Sequence, residues 1–354
     1  MIFQRYIAQA ILGPIGLMLL LLMGLEFFFS FVNEVRYVGV GEYHLFTALW
    51  VLILSLPTRV YQLFPMAVLV GALLGLGTLA SHGELIAMRA AGISLKRIVI
   101  LLLKVGFILA VLISFMGEWV SPYTEMKAQQ VKTNAMSGGK ALYTHQGMWM
   151  RSRQDFVHID AWDNQGTLTG VSRYQMDDTA RLVKSSMAAS AHYQAPHWVL
   201  HDVKTTFFNT DNIQTTHETE ELWDSDISPE VLNLSQVRYV DELSFSGLWQ
   251  AIKFRNSNDL NSDSYRLALW QKLLQPFAVL VMLFLSAPGV FGPLRDVTLG
   301  ARLLSGIALG FVFHTLNATL GPFILVSHGP VWVGALLPLL LFLGLGVFLF
   351  RRIF

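Results

Sequence analysis

Long apolar runs recur along the chain and predict helices that cross a membrane. A bilayer core of about 30 Å needs about 20 consecutive apolar residues in helical form. Six runs reach this length: Ile7–Val32, Pro57–Ala80, Ile98–Val120, Leu267–Val290, Leu303–Pro322 and Val331–Phe350. The first run is too long for a signal peptide and lacks a small-residue cleavage site, so we interpret it as an uncleaved span.

The segment between the third and fourth runs has a different pattern. Its apolar residues form short runs separated by turn residues: Leu142–Arg151, Phe156–Trp162, Thr167–Tyr174, Arg181–Tyr193 and Trp198–Phe208. Short strands at this spacing are typical of a β-sandwich or jelly roll. Residues 209–235 are acidic and weakly patterned, which indicates late strands or long loops. The prediction is an α-helical membrane protein with six transmembrane helices and an all-β, jelly-roll-like domain inserted between helices 3 and 4.

This pattern divides the chain into three parts: helices 1–3 in 1–122, the β domain in 123–262 and helices 4–6 in 263–354. Composition supports a membrane protein, since 53% of residues are apolar and 14% are charged, against about a quarter charged in soluble domains. The net charge of +1 favours no nucleic acid. No cysteine, P-loop or His-Glu-x-x-His motif occurs, so we expect no metal, no cofactor and no ATP site on this chain.

Lysine and arginine residues near the ends of the spans predict the orientation. Nine of them fall on one side if both termini share that side: Arg5, Arg89, Lys96, Arg97, Lys104, Arg295, Arg302, Arg351 and Arg352. The short loops opposite contain only Arg36. Because cytoplasmic loops are enriched in lysine and arginine, both termini are expected in the cytoplasm. The β domain is then expected outside, in the periplasm of a Gram-negative cell.

The loop over residues 81–98 predicts a short cytoplasmic helix at 82–91. Ser81 and Glu84 have the spacing of a capping box, Gly92 suits a left-handed stop, and Ser94 can cap the next helix. The helix could lie on lipid headgroups or dock a partner protein. Glu84 favours a protein partner, because an acidic residue facing anionic headgroups is unfavourable.

Several motifs carry a resemblance to a known family. They are Phe64-Pro-Met-Ala67, Gly71-Ala-Leu-Leu-Gly-Leu-Gly77, Glu84-Leu-Ile-Ala-Met-Arg-Ala-Ala-Gly92, Gly117-Glu-Trp-Val-Ser-Pro122, Phe291-Gly-Pro-Leu-Arg295 and Gly306-Ile-Ala-Leu-Gly-Phe311. Through all six spans the chain resembles the lipopolysaccharide-export permeases LptF and LptG. The Gly71–Gly77 run and the length are closer to the LptG branch.

The resemblance implies a role and partners. It implies one permease of an inner-membrane LptF–LptG heterodimer that extracts lipopolysaccharide from the outer leaflet. A cytoplasmic ATPase dimer, LptB, would bind ATP and drive the extraction. The single-span protein LptC would help to pass lipid to a periplasmic bridge. The helix after span two would seat in the ATPase, with coupling residues Glu84, Leu85, Met88, Arg89 and Gly92.

Ionisable groups near the spans are candidate lipid-binding residues, because such groups usually face a bundle interior or a cavity. They are Glu26, Arg36, Arg59 and Lys272; for Arg59 and Lys272 a plain interfacial position is the alternative. The family often places several lysines at the outer end of the first span. This chain has Arg36 as the single cation there, so headgroup recognition is expected to differ.

The fifth span carries the expected lateral gate, since in the family spans one and five of the two partners meet there. The gate candidates are Gly306, Gly310, His314 and Asn317, because small residues allow close helix approach and the two polar side chains could bond across the seam. In the β domain, Trp162, Tyr174 and Trp198 could line a lipid path or form an ordinary core.

Two other functions fit the composition. One is a membrane enzyme acting on lipid-linked glycans, with Glu26, Glu118 and Glu125 as its carboxylates. It requires two acidic groups within about 10 Å in one pocket. The other is a scaffold that holds the β domain at the membrane without transport.

Overall fold

A computed structural model of the chain describes residues 2–136, 147–152, 155–162, 166–177, 179, 181–208, 212–229, 231–232, 240–291 and 298–353. Within these residues, six helical segments are long and apolar enough to cross a membrane. They contain α1 Ile2–Val35, α2 Leu45–Ser81, α4 Leu95–Phe115, α7 Asp263–Phe291, α8 Leu299–Val326 and α9 Val331–Ile353. Two shorter helices are α3 Glu84–Ala90 and α6 Phe245–Ser257. The six predicted spans are confirmed.

The centre of the bundle is α2, which packs against α1, α7 and α8. Its residues from Phe64 to Gly77 are buried. A Cβ atom on Gly71 would lie 2.4 Å from the Ile15 Cα atom, and one on Gly75 would lie 2.3 Å from the Ala10 carbonyl oxygen. The two glycines therefore allow α1 and α2 to touch backbone to backbone, which is how small residues work in membrane helices.

The third span continues well beyond its apolar run. A π-helical turn, Met116–Val120, joins α4 to α5, Ser121–Met136. The hydroxyls of Thr58 on α2 and Ser121 on α5 form a buried hydrogen bond of 2.8 Å. Because α5 packs on α2, it extends the bundle as a polar helix. Residues 123–136, predicted to lie in the β domain, are helical.

The β domain contains six strands that follow α5 in the chain. They are β1 Met148–Ser152, β2 Asp155–Trp162, β3 Thr167–Met176, β4 Leu182–Gln194, β5 His197–Phe208 and β6 Ile213–Trp223. All five predicted strand runs contain a strand, although 142–146 lie outside the described residues. Each strand pairs antiparallel with the next, in the order β1 to β6. In the described part this is an antiparallel meander, which supports the predicted all-β domain.

One face of the sheet carries the apolar core of the β domain. Trp198 is fully buried and its indole Nε1 donates a 2.6 Å hydrogen bond to the Ile227 carbonyl oxygen. Trp162 is also buried in this core, and Phe254 of α6 packs against it. Tyr174 is half-buried and stacks on Trp149 at 5.8 Å between ring centroids. Two of the three predicted interior aromatics therefore belong to the core.

The bundle has two ends, and the strands connect to one of them. At the other end lies α3, which we call the α3 end. The buried guanidinium of Arg302, near the start of α8, donates a 2.6 Å hydrogen bond to the Gly77 carbonyl oxygen there. Phe350, near the end of α9, packs on Phe284, near the end of α7. Tyr6, near the start of α1, donates a hydrogen bond to Glu84 of α3, so the start of α1 and the end of α9 both lie at the α3 end.

Candidate functional site

A cavity of about 300 Å³ opens between α1, α2 and α5 at the sheet end of the bundle. Its lining is mostly polar, although the helices around it are apolar. The charged members are Glu26, Glu34, Arg36, Arg59, Glu125, Lys132 and Glu242. Three of the four predicted lipid-binding residues therefore share one site: Glu26, Arg36 and Arg59.

Glu34 is the centre of a buried network on one wall of this cavity. Lys132 Nζ lies 2.6 Å from Glu34 Oε1, and the Tyr43 hydroxyl donates a 2.6 Å hydrogen bond to the same oxygen. The Lys132 ammonium also lies 4.1 Å from the Tyr37 ring centroid. Burial, together with the bond to Glu34, raises the pKa of Tyr43 well above its usual value. This wall is thus a satisfied ion pair that holds α1 against α5.

The two arginines of the cavity are less engaged than Lys132. Arg59 Nε lies 3.6 Å from Glu26 Oε1, and more than a third of its side chain is exposed. Glu26 also accepts a hydrogen bond from the Ser30 hydroxyl at 3.1 Å. Arg36 is exposed and has no ion pair within the described residues. Both guanidiniums can therefore meet an anion, and a guanidinium binds phosphate with two parallel hydrogen bonds.

Four charged lining residues were not among the predicted lipid-binding residues: Glu34, Glu125, Lys132 and Glu242. Glu125, Gln129 and Lys132 follow each other at helical spacing on one face of α5. That spacing is a signal that could have been found. It was hidden because the segment was predicted to begin a β domain.

Lys272, the fourth predicted lipid-binding residue, lies apart from the cavity. Its Nζ donates a 2.6 Å hydrogen bond to the Leu243 carbonyl oxygen and lies 3.9 Å from Glu118 Oε2. Glu118 also accepts a 2.8 Å hydrogen bond from the Phe245 backbone N–H. Lys272 therefore ties α7 to the segment before α6 and to the π-helical turn.

The predicted docking helix is present as α3, with seven residues rather than ten. Gly92 has φ +85°, the left-handed stop that was predicted, and Ser94 caps α4 by accepting from the Arg97 N–H. The capping box is wrong: the Ser81 hydroxyl donates to the Thr78 carbonyl oxygen. Ser81 cannot cap α3 because it ends α2.

The faces of α3 divide its residues between the bundle and the outside. Leu85 is buried in the bundle core and Met88 is partly buried against it, whereas Ile86 is 60% exposed. The Glu84 carboxylate accepts a hydrogen bond from the Tyr6 hydroxyl of α1. Leu85 therefore attaches the helix, and Ile86 belongs to its accessible face. The Arg89 side chain lies outside the described residues.

The predicted gate residues on α8 face two directions. A Cβ on Gly306 would lie 2.9 Å from the Leu73 side chain, and one on Gly310 would lie 2.6 Å from Met66. The glycines thus face α2 of the same chain. His314 is exposed, while the Asn317 carbonyl oxygen accepts a hydrogen bond from Gln271. The structure places the two glycines against α2, His314 at the exposed surface and Asn317 beside Gln271 of α7.

The carboxylates of the enzyme hypothesis do not form one group. Glu26 and Glu125 line the cavity, whereas Glu118 is bound to Phe245 and Lys272. A pair of carboxylates in one cavity is compatible with either chemistry or binding.

The chain matches known proteins over nearly all of its length. Residues 5–352 match the family model described as lipopolysaccharide export system permease LptF/LptG. The lipopolysaccharide export system permease protein LptG of Escherichia coli K12 is 34% identical over 354 residues, which covers 99% of this chain and 98% of that protein. LptG of Haemophilus influenzae Rd is 36% identical over 342 residues, covering 96% and 95%.

Proposed function

The chain belongs to the LptF/LptG family of lipopolysaccharide export permeases, and on that premise we propose that it forms half of an ATP-driven lipid extractor. It is a multi-pass inner-membrane protein with a role in lipopolysaccharide transport. In the proposal its partner permease is LptF, its motor is the LptB ATPase, and LptC helps to pass lipid to a periplasmic bridge. In the proposal LptB binds the ATP, and this chain needs no cofactor of its own.

The observation that carries the proposal is the polar cavity between α1, α2 and α5. Arg36 has no ion pair among the described residues and Arg59 has only a loose one, so both can bind the phosphates of a lipid headgroup. Lys132 is held by Glu34 and forms the wall. The headgroup would enter beside Met23 and Phe27, the apolar residues of α1 that line the cavity.

We assign the α3 end to the cytoplasm and the strands to the periplasm. The positive-inside rule supports this orientation, because the described cationic side chains near the short loops belong to the α3 end: Arg5, Lys96, Arg97, Lys104, Arg302, Arg351 and Arg352. The ATPase would then grip the accessible face of α3, with Glu84 and Met88 at the contact and Leu85 passing the force to the bundle core. Gly92 ends the helix and sets the chain direction into α4.

The partner permease would cover the exposed faces of α1 and α8. These two helices are the least buried of the six, and they expose large apolar side chains: Leu17, Leu20, Phe28, Leu304, Phe311 and Phe323. His314 lies on an exposed part of α8 and would contribute to the seam. Gly306 and Gly310 would contribute by letting α8 slide against α2 as the gate opens.

The β domain would shelter lipid on its way out. An acyl chain of a dozen carbons exposed to water costs about 10 kcal/mol, at about 0.8 kcal/mol per CH₂. A continuous apolar path is therefore required. The end strands β1 and β6 have one unpaired edge each among the described strands, and LptC or the bridge could add a strand there.

The test uses the purified complex of this chain with LptF, LptC and LptB in lipid nanodiscs. Arg36→Gln together with Arg59→Gln is expected to lower lipopolysaccharide binding by at least tenfold, while the complex still assembles. Glu84→Arg or Met88→Asp is expected to abolish lipid-coupled ATP hydrolysis or to release LptB. Undiminished lipid release with these variants in an intact complex would refute the cavity or the docking assignment, respectively. Arg351→Gln is the matched control, because Arg351 is an exposed arginine of α9 that does not line the cavity.

A further inference from the structure

The carboxylate of Glu125 is a buried charge that opens onto the cavity. Glu125 is only 5% exposed and lies on the face of α5 that packs against α2. Gln129 Nε2 donates a 3.0 Å hydrogen bond to Glu125 Oε1. Within the described residues no lysine, arginine or histidine pairs with it. Glu125 therefore differs from Glu26 and Glu34, which each have a cationic partner.

A carboxylate in this position needs more donors than the chain supplies. It has two oxygens with about four acceptor positions, and Gln129 fills one of them. A buried charge is costly unless it is paired or hydrogen-bonded. The remaining positions are open to a donor that enters the cavity.

The charge of the cavity also limits what can enter it. The described lining has four carboxylates and three cations, so one negative charge is in excess when all are ionised: Glu26, Glu34, Glu125 and Glu242 against Arg36, Arg59 and Lys132. Net attraction cannot by itself draw a phosphate into such a site. A ligand that fits must bring hydrogen-bond donors for the carboxylates as well as phosphate for the arginines.

We propose that Glu125 accepts a hydrogen bond from a hydroxyl or amide N–H on the sugar of a phosphorylated glycolipid. Arg36 and Arg59 bind the phosphate, and Glu125 recognises the sugar through this hydrogen bond. The cavity then selects a sugar phosphate over an ordinary anionic phospholipid, which offers phosphate without sugar donors. This proposal rests on the proposed function of the cavity, and it assigns Glu125 as a specificity-determining residue.

The test compares two lipids on the purified whole complex. One is lipid A, a diphosphorylated glucosamine disaccharide with acyl chains, and the other is phosphatidic acid, which carries phosphate without a sugar. Glu125→Gln removes the charge and keeps the size. It is expected to weaken lipid A binding about tenfold, the loss of one charged hydrogen bond, and to leave phosphatidic acid binding equal or tighter.

The opposite sign would overturn the proposal. If Glu125 were only an unfavourable charge beside the phosphates, Glu125→Gln would tighten both lipids. Equal weakening of both lipids would mean that the variant damages the cavity, and this outcome also counts against a role in sugar recognition. Glu42→Gln is the matched control, since Glu42 is exposed on the loop before α2 and does not line the cavity.

A second variant serves if Glu125→Gln prevents assembly. Glu125→Asp keeps the charge and withdraws the carboxylate by one methylene, so it is expected to weaken lipid A alone. Wild-type binding and its loss in the arginine variants test the cavity itself. If the arginine variants bind lipid A as tightly as the wild type does, the proposed function fails. If the arginine variants lose lipid A binding while the Glu125 variants keep it at the wild-type level, only this inference fails.

Discussion

The hydroxyl of Tyr6, near the start of α1, donates a hydrogen bond of 2.5 Å to Oε2 of Glu84, the first residue of α3. Ile7 and Ile11 of α1 belong to the same apolar cluster as Leu85 of α3. The short helix is therefore attached to α1 by this hydrogen bond, in addition to its chain connection to α2. The hydrogen bond is a direct connection between α3 and α1.

Tyr6→Phe is expected to loosen the coupling between the motor and the lipid path. The variant loses the hydroxyl and keeps the ring, so LptB should still bind. The amount of lipid released per ATP hydrolysed should fall by a factor of about 2 to 30, the usual range for a residue that couples two sites. Simultaneous measurement of ATP hydrolysis and lipid release checks this. Tyr123→Phe, on an exposed tyrosine of α5, is the control, and an unchanged ratio in Tyr6→Phe would contradict the prediction.

Gly75→Ala is expected to destabilise the bundle. The added Cβ would lie 2.3 Å from the Ala10 carbonyl oxygen, and backbone cannot move aside as a side chain can. The free energy of unfolding should fall by about 1–3 kcal/mol, as in other overpacked cores. Gly16→Ala is the control, because nothing lies within 4 Å of its Cβ position and alanine is the better helix former. Thermal unfolding in detergent measures both, and equal effects would contradict the packing argument.

Lys132→Met is expected to leave Glu34 as a buried charge without its cation. Removing one partner of a buried pair costs about 3 kcal/mol or more, and both side chains of this pair are nearly nine-tenths buried. The double variant Lys132→Met with Glu34→Leu should recover much of the stability, since no charge is then stranded. Arg36→Gln, on an exposed cation, should change stability by less than about 0.5 kcal/mol. Equal losses for Lys132→Met and Arg36→Gln in thermal unfolding would disprove this division of roles.

Tyr43 is expected to make the protein sensitive to alkaline pH. Burial and the Glu34 carboxylate raise the pKa of Tyr43, so the folded state keeps the phenol neutral. Its contribution to stability is present below the unfolded pKa of about 10 and is lost as the pH rises above that value. The wild type should then lose up to about 1.4 kcal/mol per pH unit more than Tyr43→Phe. Unfolding measurements from pH 8 to 11 check this, with parallel curves for the two proteins as the contrary result.

The third span shows what hydropathy alone could not predict, namely where its helix ends. Hydropathy predicted a helix end at Val120, because the residues that follow are polar. The helix instead continues through a π-helical turn to Met136. It is stabilised by contact with α2, including the Thr58–Ser121 hydrogen bond, and hydropathy does not measure such a contact. Lys132 and Glu125 were placed in the wrong kind of element for the same reason.

In the β domain, the sequence pattern predicted where strands lie but not how they pair. Alternating apolar residues predicted the five runs that contain β1 to β5, and the acidic segment after them contains β6. The alternation reports which residues face the core, but any order of pairing can satisfy it. The consecutive order of the described strands depends on the pairing of whole strands, so the alternation alone did not predict it.

The sequence by itself determined the six spans, the position of the short helix after the second span, the left-handed stop at Gly92 and the strand character of the β domain. These features depend on hydropathy, residue spacing and backbone preference, which are properties of neighbouring residues. Only the tertiary structure decided that Glu34 meets Lys132 and Tyr43, that Gly75 touches Ala10, and that Lys272 lies outside the cavity. Those relationships join residues far apart in the chain, and side-chain packing between helices selects them.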